Sequence, residues 1–241
     1  MKHDIEKIYT LTQQELHDYV IDYISQFNEE IISIESFFII SAPKQKAPYL
    51  VAHLDTKYDV TPYEVVLVNK KKYEAYDKNG YRCILGADDR NGVWTMLELY
   101  EQYHDKLGFI FTWNEEKGCV GARNLAVQYQ PFLKENISYF LQIDRRGTKD
   151  LAYYSTYDIL MNQNFRLKLE DFHPYRVVPG TSTDVKHLSS SAKVSSINIS
   201  AGYHYEHTTS EYCEYEYLLN LPNTVIDLIN HLGYQDYPLN Y

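Results

Sequence analysis

Five short segments of the sequence each carry a carboxylate, an imidazole or both, and they follow predicted strands or begin a predicted helix. The segments are His53-Leu54-Asp55, residues 86–92 with Asp88 and Asp89, Asn114-Glu115-Glu116, Asp144, and residues 204–209 with His204 and His207. Carboxylates and imidazoles without a thiolate form a ligand set that suits zinc, cobalt or manganese. Gathered in one place, these groups would repel one another and lose hydration unless cations held them. Together they predict a site for divalent metal ions.

Taken singly, each segment has a plainer interpretation. His53-Leu54-Asp55 could be an ordinary surface loop, and Asp88 with Asp89 could cap the helix that follows. Glu115 and Glu116 could lie in a solvated turn. The functional interpretation therefore depends on one edge of the fold bringing all five segments together.

The elements that carry these segments alternate between strands and helices. Thr12 and Glu15 form a capping box at the start of a helix whose apolar residues recur every three or four positions up to Phe27. Strands are predicted over residues 31–40, 49–52, 108–113, 139–143 and 194–199, and a hairpin is predicted over residues 63–76. Further helices are predicted over 91–104 and 122–129, and a last one ends at Gly233, with Pro222 expected to kink or split it.

The predicted strands are short and almost entirely apolar, as in Phe109-Ile110-Phe111 and Tyr139-Phe140-Leu141. Such strands are typical of a sheet that is covered on both faces, and their alternation with helices makes that sheet mostly parallel. The sequence therefore predicts a three-layer α/β/α sandwich around a mostly parallel mixed sheet. In sheets of this kind, ligands bind at the carboxyl ends of the strands, where most of the acidic and histidine-bearing segments lie.

Length and composition narrow the function classes. The 241 residues contain no obvious linker, so residues 1–241 are predicted to form a single domain. With 23 Lys and Arg against 33 Asp and Glu, the formal charge of −10 argues against nucleic acid or an anionic membrane as a partner. No apolar stretch approaches the ~20 residues of a membrane span, and the first residues lack the core of a signal peptide. Three separated cysteines predict neither disulfides nor a Cys-rich zinc motif, so a cytoplasmic protein is expected.

The sequence resembles the co-catalytic zinc peptidases in five motifs, which occur in the order V-A-H-L-D-T, G-A-D-D-R-N-G, N-E-E-K-G-C-V-G-A, Q-I-D and E-H-T-T-S-E. This superfamily includes bacterial leucyl-type aminopeptidases, tripeptidase T and their aminoacylase and carboxypeptidase relatives. The resemblance extends from about Tyr49 to the final helix. It implies two divalent metal ions, with zinc expected and cobalt or manganese as alternatives.

The resemblance also assigns a role to each candidate residue. Asp88 would bridge the two metals, and its peptide bond to Asp89 would be cis. The other metal ligands would be His53 and Asp144 for one ion, and Glu116 and His207 for the second. Asp55 would orient the His53 ring by accepting its second N–H, and Glu115 would be the general base that moves a proton from water to the leaving amine.

Several residues near the motifs are open to two interpretations. His204 is an alternative to His207 as the last ligand, although the His-Thr-Thr motif favours His207. Thr183 and Asp184 resemble a segment that supports the ligands in similar enzymes, and they could equally form a polar turn. Cys119 is expected to be a small packed residue rather than a nucleophile.

Arg145 and Arg146 directly follow the predicted ligand Asp144. They could form salt bridges with nearby acids, or one of them could bind a carboxylate of the substrate. Of the two interpretations, the salt bridge is favoured.

The predicted function is a metal-dependent, aminopeptidase-like exopeptidase that hydrolyses peptide bonds. One alternative is an N-acyl amino acid deacylase or carboxypeptidase-type amidohydrolase on the same site, and another is an inactive metal-binding relative. Residues 54–87 and 145–206 are too short to hold the lid or dimerisation domain that many relatives insert there. This favours a chain that consists of the catalytic domain alone.

Overall fold

The computed structural model describes residues 2–27, 30–34, 37–154 and 161–239. The helices are α1 (Ile5–Thr10), α2 (Gln13–Ile24), α3 (Ala87–Tyr103), α4 (Val120–Gln128), α5 (Gln130–Asn136), α6 (Gln163–Asp171), α7 (Asp184–Ala192) and α8 (Tyr215–Leu232). The strands are β1 (Glu30–Ile34), β2 (Phe38–Ala42), β3 (Ala47–His53), β4 (Glu64–Val68), β5 (Lys72–Tyr76), β6 (Arg82–Cys83), β7 (Gly108–Thr112), β8 (Ile137–Arg145), β9 (Asp150–Tyr153), β10 (Arg176–Pro179), β11 (Ser196–Ser200), β12 (Tyr203–His204) and β13 (Tyr212–Glu214).

Eight strands form the main sheet in the order β1-β2-β7-β3-β8-β11-β9-β10. Its centre is parallel, because β7, β3, β8 and β11 pair in the same direction. The antiparallel pairs of β1 with β2, β2 with β7 and β9 with β11 lie toward the two edges. The predicted mostly parallel mixed sheet is therefore confirmed.

Alternate residues of β3 contact different layers of the fold. Leu50 and Ala52 belong to a core that includes apolar residues of α1, α2, α3, α6 and α8. Tyr49 and Val51 belong to a second core, on the other face, with residues of α4, α5 and α7. Because every residue of β3 is buried, the strand needs apolar side chains on both faces. The predicted three-layer sandwich is confirmed.

A smaller sheet joins strands that are distant in sequence, in the order β12-β13-β5-β4 with β6 paired to β5. The predicted hairpin over residues 63–76 is present as β4 and β5. It is less exposed than predicted, because Tyr73 and Ala75 are buried and β13 pairs with β5. This sheet connects the hairpin to the loop that follows β12, which contains His207.

Two predicted elements differ from the structure. Residues 31–40 were predicted as one strand, but they contribute to the two antiparallel strands β1 and β2; residues 35 and 36 lie outside the described ranges. Pro222 does not split the last helix, since α8 continues from Tyr215 to Leu232. Its apolar residues, including Leu218, Leu221 and Val225, are buried, and this packing outweighs the hydrogen bond that proline removes.

The first predicted helix begins as expected. Thr12 Oγ1 accepts a hydrogen bond from the Glu15 backbone N–H, and the Glu15 carboxylate accepts one from the Thr12 N–H, so the capping box is present. In the described part of the chain, no helix is both long enough and apolar enough to cross a membrane.

Candidate metal centre

The carboxylate of Asp88 lies between two histidines. His53 ends β3 and is fully buried, and its Nε2 atom is 3.0 Å from Asp88 Oδ1. His207 follows β12, and its Nε2 atom is 3.0 Å from Asp88 Oδ2. The two oxygens of one carboxylate thus face two different imidazoles, which is the arrangement expected for a residue shared by two metal ions.

His53, Asp88 and Asp144 form the first donor group. One ligand atom from each lies within 4.8 Å of the others, and Asp144 Oδ1 is 3.7 Å from His53 Nε2. Asp144 lies near the end of β8, next to β3 in the sheet. The parallel pairing of these strands brings the two side chains to the same sheet edge.

Asp88, Glu116 and His207 form the second donor group, again with ligand atoms within 4.8 Å of one another. Glu116 Oε1 lies 2.5 Å from His207 Nε2. The other Glu116 oxygen accepts a hydrogen bond from Lys57 Nζ at 3.1 Å, which leaves Oε1 to face the centre of the group.

The donor chemistry of the two groups fits a pair of zinc-like cations. Imidazole nitrogen and carboxylate oxygen are the only donor types in them, and Asp88 belongs to both. Hydrogen bonds to Asp88 and Glu116 raise the pKa of His207 to about 10. Burial opposes such a shift at His53, yet its carboxylate partners, Asp144 foremost, hold its pKa well above the ordinary value. Protons on the imidazoles thus occupy positions that divalent cations would take over.

Asp55 positions the His53 ring of the first donor group and the backbone of the two adjacent glutamates. The carboxylate is buried, and on the side of the ring opposite Asp88 the His53 Nδ1 atom lies 3.1 Å from the Asp55 backbone carbonyl oxygen and 3.3 Å from Asp55 Oδ1. The same carboxylate accepts hydrogen bonds from the backbone N–H groups of Glu115 at 2.9 Å and Glu116 at 3.0 Å. One side chain therefore orients both the histidine ring and the glutamate pair.

Glu115 lies beside the two donor groups without belonging to either of them. Burial and nearby carboxylates, Asp184 foremost, raise its pKa to about 9 against the opposing influence of His53. Its Oε1 atom accepts a weak hydrogen bond from the Cys119 thiol at 3.4 Å. A half-buried carboxylate with a raised pKa beside the donor groups is suited to hold and transfer a proton.

The first residues of α3 form a non-helical turn that presents Asp88 to the site and directs Asp89 away from it. The Asp88–Asp89 peptide bond is cis, as the resemblance implied. Asp89 accepts hydrogen bonds from the backbone N–H groups of His53 at 3.1 Å and Gly92 at 3.1 Å. Asp89 therefore ties the helix to β3, while Asp88 faces the histidines.

Two buried charged residues support this turn and were not singled out as site residues in the sequence. Glu211 accepts hydrogen bonds from the backbone N–H groups of Leu85 and Gly86 at 2.9 Å each, and burial raises its pKa to about 7. Arg90 donates to the backbone carbonyls of Leu54 and Leu11. Both lie inside the motifs E-H-T-T-S-E and G-A-D-D-R-N-G, which was the available signal.

His204 lies outside both donor groups. Its Nε2 atom is 2.7 Å from Glu214 Oε1, and its ring stacks on Tyr212 at a centroid distance of 4.9 Å. His207, in contrast, contacts Asp88 and Glu116, so the geometry favours His207 as the last ligand.

Thr183 and Asp184 both lie close to the site. Thr183 Oγ1 donates to Asp144 Oδ2 at 2.9 Å. Asp184 is fully buried and accepts a hydrogen bond from Thr112, and its Oδ1 atom has no hydrogen-bond partner among the described residues.

Burial raises the pKa of the Cys119 thiol well above its ordinary value, which agrees with a packed residue rather than a nucleophile.

The donor groups open onto a cleft of about 170 Å³. The described residues that line it are Asp88, Glu115, Glu116, Asp144, Arg145, Arg146, Tyr154, Thr181, Ser182, Asn198, Tyr203, Glu206 and His207. Tyr203 donates a hydrogen bond to Asp144 Oδ1 at 3.1 Å and so connects the cleft wall to the first donor group.

The model of peptidase family M28 matches residues 39–218, which is well over half of the chain. The match begins in β2 and ends within α8, so it includes every residue of the two donor groups. No curated protein sequence matches the chain significantly.

Solved peptidase structures are similar to the chain in fold. Aminopeptidase PepT from Bacillus cereus gives a TM-score of 0.73 at 12% identity and covers 95% of this chain and 96% of its own. A tripeptidase from Staphylococcus aureus gives 0.71 at 13% identity, with the same coverage of 95% and 96%. Aminopeptidase APDkam598 from the archaeon Desulfurococcus kamchatkensis gives 0.66 at 12% identity and covers 92% of each chain.

Proposed function

The chain belongs to peptidase family M28, a family of metal-dependent peptidases, and we propose that it is an aminopeptidase-like exopeptidase with two divalent metal ions. Zinc is the expected metal. The observation that carries the proposal is the pair of donor groups that share Asp88, with Glu115 beside them as a carboxylate outside both groups.

His53, Asp88 and Asp144 would hold one cation, and Asp88, Glu116 and His207 would hold the other. When bound, two such cations supply a Lewis acid for the scissile carbonyl and lower the pKa of water. Asp55 would keep the His53 ring in the orientation that directs Nε2 toward the first cation. These assignments use the residue types and contacts of this chain.

Glu115 would act as the general base. Its carboxylate lines the cleft and takes a proton from the attacking water, then donates that proton to the amine that leaves. Asp55 accepts from the Glu115 backbone N–H and thereby holds the residue at the cleft wall. Its neighbour Glu116 is engaged by His207 and Lys57, so the two adjacent acids have separate tasks.

The cleft gives the end of a peptide access to the donor groups, because four of their residues, Asp88, Glu116, Asp144 and His207, border it together with Glu115. The structural relatives named above as aminopeptidases and a tripeptidase agree with this substrate class. The segments of residues 54–87 and 145–206 contribute strands and helices to the two sheets and their layers, which supports one catalytic domain without an inserted lid.

A second candidate function is hydrolysis of N-acyl amino acids or of C-terminal residues on the same site. Arg145 and Arg146 line the cleft and could bind the free carboxylate that such substrates carry.

A metal analysis combined with a substrate survey tests the proposal. Protein purified, stripped and reloaded with zinc, cobalt or manganese is expected to hold close to two ions per chain. The loaded protein is then incubated with peptides that have free or acetylated N-termini and with N-acyl amino acids. Shortening of the free peptides from the N-terminus supports the aminopeptidase, whereas cleavage of acylated substrates alone supports the second candidate.

The same survey can contradict the proposal in two ways. Protein that binds no metal after exposure to zinc would remove the site assignment. Protein that binds two ions but cleaves none of the substrates would instead indicate an inactive metal-binding relative.

A further inference from the structure

We propose that Arg145 and Arg146 form a binding site for a carboxylate of the substrate, so that preferred peptides carry a carboxylate close to the scissile bond. The inference rests on the proposed peptidase function and adds a substrate class to it. The carboxylate can come from an acidic side chain at the N-terminus of the substrate or from the C-terminus of a very short peptide.

The two arginines lie next to the reacting groups. Arg145 ends β8 immediately after Asp144, and Arg146 follows it. Both line the same small cleft as Asp88 and Glu115. When the scissile bond of a substrate reaches the donor groups, the substrate atoms next to that bond therefore lie in the part of the cleft that the two guanidinium groups border.

Arg145 has donor capacity that the described residues do not use. Its one ion pair among them joins Nη2 to Asp150 Oδ2 at 3.5 Å, the outer limit for such a bond. Its Nε atom is buried and has no hydrogen-bond partner in the described part of the chain. Asp150 instead makes its shorter contact with Arg176, at 2.8 Å. A guanidinium has five N–H donors, and Arg145 borders the cleft, so donors beyond the Asp150 ion pair would be available to a substrate carboxylate there.

The charges beside the cleft leave room for one more anion. Arg146 pairs with Glu206 at 3.0 Å, whereas Arg145 lies 3.5 Å from Asp150, which is not among the lining residues and is closer to Arg176. Of the two arginines that line the cleft, Arg145 therefore has only a long ion pair among the described residues. The remaining acids of the cleft are assigned to the metal ligands and the general base, so a substrate carboxylate would complete the charge balance.

The other lining residues suit a polar substrate group. Thr181, Ser182 and Asn198 border the cleft, and its aromatic members, Tyr154 and Tyr203, both carry hydroxyl groups. Within the described residues, the lining includes no leucine, isoleucine, valine or phenylalanine. An aliphatic side chain of the substrate would remove water from these polar groups without replacing its hydrogen bonds. A carboxylate, in contrast, would accept hydrogen bonds from donors in the lining.

Paired substrates distinguish a carboxylate from its uncharged isostere. Peptides that begin with Glu are compared with those that begin with Gln, all with an amidated C-terminus. Ala-Ala and Ala-Ala-Ala are compared with their C-terminal amides. We expect kcat/KM to be at least about tenfold higher for the carboxylate form in one of the two comparisons, as two charge-assisted hydrogen bonds allow. The comparison that shows the difference identifies the source of the carboxylate.

Variants assign the preference to the two arginines. R145Q and R146Q are each expected to reduce the preference, and their combination is expected to reduce it to within about threefold of unity. R166Q removes an exposed arginine on α6 that pairs with Glu170, so it serves as the matched control and keeps the preference. E206Q frees Arg146 from its ion pair and is expected to increase the preference. If R145Q fails to fold, R146Q decides the question, because the Arg146 side chain is 61% exposed.

A binding measurement separates this inference from the proposed function. Zinc-loaded E115Q is titrated calorimetrically with the Glu and Gln peptides and with Ala-Ala and its amide. Tighter binding of the carboxylate member, lost in the R145Q and R146Q backgrounds, supports the site even if the protein cleaves no peptide. Equal binding and equal kcat/KM within each pair, or a preference unchanged in the double variant, overturns it.

Discussion

At the scale of single residues, the site depends on how each carboxylate divides its two oxygens. Asp88 gives one oxygen to His53 and the other to His207, and Glu116 gives one to His207 and the other to Lys57. Asp55 divides its oxygens between the N–H groups of two adjacent glutamates. Each of these acids has a defined set of partners, and Glu115, outside both donor groups, is the proposed general base.

The substitution Glu115→Gln tests that division of tasks. The amide cannot accept a proton, so we expect kcat to fall by about 10²- to 10⁴-fold. Metal content, measured by mass spectrometry of digested protein, is expected to stay unchanged because Glu115 belongs to neither donor group. Glu135→Gln, on the exposed surface of α5, serves as the control. Full turnover by Glu115→Gln would exclude this residue as the base.

Zinc binding is expected to release protons and to weaken as the pH falls. Asp88 and Glu116 raise the pKa of His207 to about 10, so the metal-free protein keeps a proton on this imidazole at pH 7.5. Zinc binds the neutral imidazole and must displace this proton. For each proton displaced, the apparent affinity for zinc therefore falls about tenfold for every pH unit below that pKa.

Calorimetry in buffers of different ionisation enthalpy counts the protons released. His207→Gln is expected to lose both a proton and affinity, while His204→Gln, whose ring contacts Glu214 instead, is expected to behave as the wild type. Binding without proton release at pH 7.5 would contradict this account.

At the scale of elements, the site is the place where strand ends and a helix start meet at close range. β3 and β8 run parallel and end at the donor groups, and α3 begins against them. A Cβ atom on Gly92 would lie 2.5 Å from both Asp89 Oδ1 and the Ile143 carbonyl oxygen, so only glycine permits this approach.

Gly92→Ala is therefore expected to destabilise the protein although alanine favours helices. Overpacking costs about 1–3 kcal/mol, more than the roughly 1 kcal/mol that alanine contributes in a helix. Zinc affinity is also expected to fall, because Asp89 and with it Asp88 must shift. Unfolding in urea and zinc titration measure the two effects.

Gly80→Ala provides the comparison for this variant. Gly80 has a φ of +80°, and no non-neighbouring atom of the described residues lies within 4 Å of a Cβ added to it. We expect it to cost about 1 kcal/mol through backbone strain and to leave zinc affinity unchanged. If both variants lost the same stability and neither affected zinc, the proposed close packing at Gly92 would be wrong.

At the scale of the whole molecule, the two donor groups join distant parts of the chain. They connect β3, the start of α3, the loop after β7, the end of β8 and the loop after β12. Metal binding at these positions favours the folded state, because the unfolded chain cannot hold the donors together.

Zinc is expected to raise the melting temperature by several degrees, since one site at 100 times its Kd contributes about 2.7 kcal/mol. Asp88→Asn is expected to remove most of this response because Asp88 belongs to both groups, whereas Asp144→Asn affects the first group alone. Thermal unfolding with zinc and with a chelator measures the effect. Identical melting temperatures under both conditions would show that zinc does not bind the folded protein preferentially.

Local patterns were sufficient for much of the fold. The apolar residues of α2 recur with the helical period because one face of the helix is buried, and the apolar runs in β7 and β8 are continuous because both faces of these strands are buried. Residues 31–40 were predicted as one strand because no glycine or proline separates the apolar residues of β1 from those of β2. The smaller sheet could not be predicted, because β13 and β5 are separated by more than a hundred residues.

The sequence by itself determined the types of the candidate ligands, their order along the chain and the strands that end beside them. It did so because the donor chemistry and burial patterns are properties of short segments. The tertiary structure decided that His207 rather than His204 faces Asp88, and that Glu211 holds the backbone of residues 85 and 86. Within the described residues, it also left the buried Arg145 Nε atom without a hydrogen-bond partner. The contacts of His207 with Asp88 and of Glu211 with residues 85 and 86 join parts far apart in the chain, so their geometry exists only once both sheets have formed.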